Sequence, residues 1–137
     1  MSEESYMTRN ISDADKEEAL PYIIAVDFDG TLVSNAFPEI GEIDQLMWDR
    51  ILEEKRAGTK IILWTSRTED YLEKAVEFCA NHGLTFDAVN DNIEECKALG
   101  WNARKVFANL YIDDRNGRVY IGEKNSFESS PLYYIQT

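Results

Sequence analysis

The sequence predicts an α/β domain in which helices cover both faces of a central parallel sheet. Three observations carry that prediction. Short apolar runs rich in β-branched residues alternate with longer stretches whose apolar residues recur at helical spacing, the pattern of strand–helix–strand units. Glycines stand just past the helical stretches, at Gly58 and Gly83, where a chain leaves a helix through a left-handed residue. The apolar runs end in polar clusters, Asp27/Asp29, Thr65/Ser66/Arg67 and Asp113/Asp114. Sheets of this kind bind ligands beyond the carboxyl ends of their strands.

The elements follow in order. Residues 1–21 read as an acidic extension: Glu3, Glu4, Asp13, Asp15, Glu17 and Glu18 face only Arg9 and Lys16 as bases. Ser12 and Asp15 have the spacing of a capped helix start, and Pro21 ends any such helix. Tyr22-Ile23-Ile24-Ala25-Val26 is apolar throughout, which suits a strand buried on both faces. Residues 32–41, with Asn35, Pro38 and Gly41, form a loop. Ile43, Leu46, Met47, Ile51 and Leu52 define a helix over 43–56. A second buried strand covers 60–64 and a second helix 68–81. A short third strand covers 86–89, and a weak helix with a loop fills 91–104. Leu110-Tyr111-Ile112 is the next strand, Asn116-Gly117 a turn, and 118–121 a last strand. The aromatic tail (Phe127, Tyr133, Tyr134) is expected to pack back on the core. The result is one Rossmann-like three-layer domain over 22–137, without internal repeats.

Composition bounds the function. At 137 residues the chain fits one domain. No apolar run approaches the ~20 residues that span a bilayer, and the opening residues lack a secretory layout. The cysteines, Cys79 and Cys96, make no CxxC pair and no disulfide framework. A cytoplasmic protein with reduced thiols is expected. The formal charge of −12, with no basic cluster, disfavours nucleic acid and anionic membrane as partners. Should the substrate be phosphorylated, the same charge leaves a small phosphorylated molecule rather than a polynucleotide as the expected one.

Four carboxylates converging on one strand rim, from Asp27, Asp29, Asp113 and Asp114, repel one another unless something positive stands between them. All-oxygen ligands favour Mg²⁺, which binds alongside phosphate. One carboxylate can then be a nucleophile, and a second, two residues on, a general acid and base. Thr65 with Lys105 or Arg67 would hold the phosphoryl oxygens.

At these residues the chain resembles the haloacid dehalogenase (HAD) superfamily of phosphohydrolases. Asp27-Phe28-Asp29-Gly30-Thr31 resembles its first motif, Thr65 after a strand its second, and Asp113-Asp114 its acidic fourth. Lys105 is taken for the basic third motif, with Lys97 and Arg104 as competitors. The resemblance covers residues 22 to 121 and implies these roles. Asp27 attacks phosphorus, and Asp29 protonates the leaving oxygen and then activates water. Metal contacts would come from the Asp27 side chain, the Asp29 backbone carbonyl and Asp114, with Asp113 behind it. Gly30 would permit a tight turn, and Thr31 would support the loop at the phosphate by hydrogen bonds. An acid at Asp29 points to phosphate rather than carbon–halogen chemistry. Neither 32–41 nor 91–104 is long enough for a cap domain, so the site is expected to be uncapped, and closure in a homo-oligomer stays open. Thr65-Ser66-Arg67 with Asp114-Arg115 also resembles uncapped polynucleotide 3′-phosphatases, in which such an Arg contacts phosphate; Ser66 and Arg67 are therefore expected at the phosphate.

Two other classes compete with a phosphatase. A receiver that stores phosphate on Asp would carry its acceptor after a middle strand, where this chain has Asn90-Asp91, and Asp29 would shorten the life of an acyl-phosphate. A non-catalytic metal scaffold has no need of the Asp27/Asp29 pair. The remaining polar and aromatic candidates read as structural: His82 as a helix-end cap, Cys79 as core, and Trp48, Trp64 and Trp101 as core or rim.

Overall fold

A computed structural model describes residues 20–114. The helix start expected at Ser12, the strand expected at 118–121 and the aromatic tail lie outside the described residues.

The order of elements is β1 (Ile23–Val26), α1 (Gln45–Arg56), β2 (Lys60–Leu63), α2 (Glu69–Asn81), β3 (Ala88–Val89), α3 (Glu94–Ala98) and β4 (Leu110–Ile112). Among the described residues the strands form one all-parallel sheet in the order β3-β2-β1-β4. The chain therefore winds outward from β1 to β3, then crosses back to lay β4 on the other side of β1. That reversal makes the β1/β4 boundary the topological switch point, where such sheets bind ligands. No cap domain interrupts the described chain.

The sheet explains the apolar runs. All four residues of β1 are fully buried, and successive side chains point to opposite faces. Ile24 and Val26 join Ile61, Leu63, Leu110 and Ile112 in a core covered by Met47, Trp48 and Ile51 of α1 and Ala75 and Cys79 of α2. Ile23, Ala25 and Ile62 face the other way, against Ile93, Cys96 and Val106. These are the three layers. Burial pushes the Cys79 thiol up to about 12, in keeping with a core residue.

Local chemistry sets the element ends. Asp44 caps α1 by accepting from the Met47 N–H at 3.1 Å, so the helix starts two residues later than its apolar spacing suggests. His82 closes α2, donating from Nδ1 to the Phe78 carbonyl at 2.8 Å and stacking on the Phe78 ring at 4.2 Å. The weak helix expected within 91–104 is the single turn-and-a-half of α3.

Candidate active site

Register brings the polar clusters together. Val26 pairs with Leu63 on one side and Ile112 on the other, and Leu63 pairs with Val89. The next residues, Asp27, Trp64, Asp113 and Asn90, therefore share one row at the carboxyl rim. Hydrogen bonds carry the ladder into that row. The Asp27 N–H donates to the Ile112 carbonyl at 2.9 Å, Trp64 to Val26 at 2.8 Å, and Asn90 to Leu63 at 2.8 Å.

Asp27, Asp113 and Asp114 each offer a carboxylate oxygen, and these oxygens lie within 4.8 Å of one another. Gly30 lets Asp114 come so close. Its φ is +82°, and a Cβ there would run into the Asp114 carboxylate, with Cγ at 2.9 Å. The Asp27 carboxyl is pushed up to about 7, chiefly by burial, with the charges of Asp113, Asp114 and Asp29 adding to it. Its hydrogen bond to the Phe28 backbone works in the opposite direction. The donor set fits a hard divalent cation, because three clustered oxygen donors, one disfavoured as an anion, are stabilised by positive charge between them.

Asp29 stands apart from that triad. Both of its carboxylate oxygens accept from Arg67, Oδ2 from Nε at 2.7 Å and Oδ1 from Nη2 at 2.8 Å. A carboxylate has about four lone-pair sites, so each oxygen keeps capacity for a proton or a substrate oxygen. Arg67, expected at the phosphate, is instead buried, with 2% of its surface exposed. Its remaining N–H groups donate to the carbonyls of Pro38 (3.4 Å), Tyr71 (3.3 Å) and Glu39 (2.8 Å). The rings of Phe28 and Phe37 lie 5.1 and 5.0 Å from its Cζ. No N–H is left aimed at the rim, because the carboxylate and the loop carbonyls satisfy the guanidinium fork.

Thr31, expected to support the loop at the phosphate, lies beneath it. It is fully buried, and its Oγ1 has no hydrogen-bond partner among the described residues. The loop is held by backbone instead: the Phe28 carbonyl accepts from Thr31, Leu32 and Val33 at 3.1, 3.0 and 3.2 Å.

Thr65 and Ser66 do reach the site. They line a cavity of about 720 Å³ together with Asp27, Asp113, Trp64, Asn90, Asp91, Asn102 and Arg104. The Thr65 Oγ1 accepts from the Arg67 N–H at 3.1 Å, which leaves its own O–H to donate outward.

The expected third-motif Lys105 does not line this cavity. It borders a separate one of about 640 Å³ with Trp101, Phe107 and Tyr111, and its Nζ lies 6.0 Å from the Tyr111 ring centroid. Its neighbour Arg104 lines the Asp27 cavity instead. Lys97 reaches the same wall by pairing with Asp91 at 2.6 Å. The segment is pinned by buried Asn92, whose Oδ1 accepts from the Phe107 N–H at 2.8 Å and whose Nδ2 donates to the Ala103 carbonyl at 3.2 Å.

Sequence reasoning missed Asn90, whose Oδ1 accepts from the Thr65 N–H at 2.8 Å and fixes that loop. Its position just after a strand, like Asp27 and Asp113, was the available signal. It also missed Asn92 and Phe37, which lie in stretches that read only as loop.

No protein-family model matches the chain, and a search of curated proteins returns no match. A solved structure, that of a conserved protein coded by a locus of Bacteroides thetaiotaomicron, matches with a TM-score of 0.63 and 37% sequence identity. The match covers 71% of this chain and 78% of that one. With that identity across most of both molecules, the chain belongs to the same family as the conserved Bacteroides thetaiotaomicron protein.

Proposed function

We propose that the protein is a Mg²⁺-dependent phosphatase of the haloacid dehalogenase type, acting on a small phosphate monoester. The observation that carries the reading is the Asp27–Asp113–Asp114 carboxylate triad, gathered at the switch point of a parallel sheet. Asp29 and Thr65 stand beside it. Magnesium, when bound, would be held by Asp27, Asp113 and Asp114 and would offset charge on the phosphoryl oxygens.

The chain's own residues supply the rest. An Asp27 oxygen attacks phosphorus, and the bond from phosphorus to the ester oxygen breaks. Asp29 gives the departing oxygen its proton, which leaves an alcohol and an aspartyl-phosphate. Water then attacks the same phosphorus while Asp29 takes its proton. The bond to Asp27 breaks, and inorganic phosphate leaves with the carboxylate restored. Thr65 donates its O–H to a phosphoryl oxygen, and Arg104 is the cation that borders the cavity. The alternative of a polynucleotide 3′-phosphatase drew on Thr65-Ser66-Arg67 with Asp114-Arg115; the burial of Arg67 on Asp29 takes one support from it.

The test is phosphate release from a generic ester in Mg²⁺ and in chelator, with Asp27→Asn as the control. Metal-dependent turnover that Asp27→Asn abolishes is expected. Activity above a few per cent of wild type in folded Asp27→Asn refutes the assignment of the nucleophile.

A further inference from the structure

The position of Asp29 fixes where the departing group must go. Proton transfer requires the ester oxygen within hydrogen-bond reach of that carboxylate. Asp29 does not line the larger cavity bounded by Trp64 and Arg104. It lines a smaller one, of about 250 Å³, with Asp27, Asn35, Phe37, Ser66 and Asp114. The alcohol portion of the substrate must therefore leave past Phe37.

That exit is bordered by the Phe37 ring, which in turn touches Tyr71. Phe37 is 53% exposed and Tyr71 45% exposed, the two most exposed large hydrophobic residues among those described. Their ring centroids are 5.4 Å apart at 59°. Scattered apolar residues on a surface carry no message, but two touching rings, one of them lining the Asp29 cavity, form a patch with a location. The patch is also rigid. Arg67 stacks under Phe37 at 5.0 Å and donates to the carbonyls of Pro38, Glu39 and Tyr71. One guanidinium thus fixes the proton donor and both halves of the aromatic wall in a single frame. The wall presents ring faces and edges, with Asn35 and Ser66 as its polar neighbours. Beside it stand the carboxylates of Asp27, Asp29 and Asp114, which repel an anionic group.

We propose that Phe37 and Tyr71 are the leaving-group platform of this site, and that its substrate is a phosphate monoester whose alcohol portion carries a flat, uncharged aromatic ring. The inference rests on the phosphatase reading and adds the substrate class to it. Ring–ring contact adds about 0.5–1.5 kcal/mol beyond simple burial, roughly 2- to 13-fold in affinity.

The experiment compares 2-phenylethyl phosphate, 2-cyclohexylethyl phosphate and propyl phosphate in Mg²⁺. All three release a primary alcohol, so the chemical step is similar and kcat/KM reports the platform. Wild type should prefer the phenyl ester to the propyl ester about tenfold or more, and to the cyclohexyl ester by a few-fold, mainly through KM. In Phe37→Ala and Tyr71→Ala the phenyl/propyl ratio should fall several-fold. Phe37→Leu keeps bulk against Arg67, and its phenyl/cyclohexyl ratio should approach one. Thermal melts establish that each variant is folded. Turnover of all three esters with no aromatic preference in wild type overturns the platform alone. So does a preference retained in folded Phe37→Leu and Tyr71→Ala. No metal-dependent turnover of any ester overturns the phosphatase reading, and the platform with it.

Discussion

The raised pKa of Asp27 makes the metal-free protein a pH-dependent object, and the sign of the dependence is unusual for a carboxylate. Its folded pKa of about 7 stands above the ordinary value of 3.8. Between those values the folded state holds a proton that the unfolded chain has released. Stability from this group is therefore fully present below about pH 4 and is lost as pH rises through about 7. The slope is at most about 1.4 kcal/mol per pH unit for one proton, which sets a ceiling near 4 kcal/mol over the interval. Asp27 is only partly buried, so solvent screening reduces this to about 2 kcal/mol. For a domain of this size that is a melting shift of roughly 4–16 °C.

The perturbation is Asp27→Asn, which cannot titrate. Other acids also respond to pH, so the quantity to follow is the difference in melting temperature between wild type and Asp27→Asn, both in chelator. Wild type should lose ground to the variant steadily from pH 5 to 7.5. Saturating Mg²⁺ should reverse this, because metal and proton compete for Asp27 and affinity rises with pH up to about 7. A difference that stays constant from pH 5 to 7.5 in chelator refutes the reasoning, whatever the catalytic phenotype of Asp27→Asn.

Further expectations address the neighbours of Asp27. Asp29→Asn should slow turnover by about 10²–10⁴ while keeping the Mg²⁺-induced melting shift, since its side chain lies outside the triad; loss of that shift would count against the assignment. Gly30→Ala must place a Cβ at φ +82° against the Asp114 carboxylate, and should destabilise by about 1–3 kcal/mol and weaken the response to Mg²⁺, both readable in melts with and without metal. Arg67→Met leaves Asp29 unpaired beneath the loop and should cost about 3 kcal/mol in denaturant unfolding; a loss under about 1 kcal/mol would mean that the pair is not structural.

Some of this was legible in the sequence for reasons that can be named. β1 is buried on both faces, so its five-residue apolar run has no polar interruption to confuse the reading. The triad was legible because Asp27, Asp113 and Asp114 each follow such a run, and a parallel sheet brings strand ends to one edge. Strand order was not legible, since a crossover from α3 could lay β4 beside β3 or beside β1. Which of Lys105 and Arg104 borders the Asp27 cavity was not legible either. The segment before β4 is registered by Asn92 and by the Tyr111 hydroxyl, which donates to the Val106 carbonyl at 2.5 Å. Arg104 and Lys105 sit at a bend, whose direction is set by these long-range hydrogen bonds and not by any periodic pattern in the sequence.

Arg67 was misplaced for a deeper reason. Position after a strand says that a side chain is near the rim, but not whether it points outward or down. The outcome depends on which acceptors can satisfy five N–H donors. A phosphate offers acceptors only while it is bound; Asp29 and the carbonyls of Pro38, Glu39 and Tyr71 offer them in every state. Burying a guanidinium between Phe28 and Phe37 is tolerable only with such permanent partners. The pairing also divides the acids into two groups. Asp29 has a fixed cation of its own, and the Asp27, Asp113 and Asp114 carboxylates crowd together one step along the rim. A single mobile cation at the triad would then meet three carboxylates rather than four. Under the proposed function proton transfer and metal binding then fall to different carboxylates, Asp29 for the first and the triad for the second.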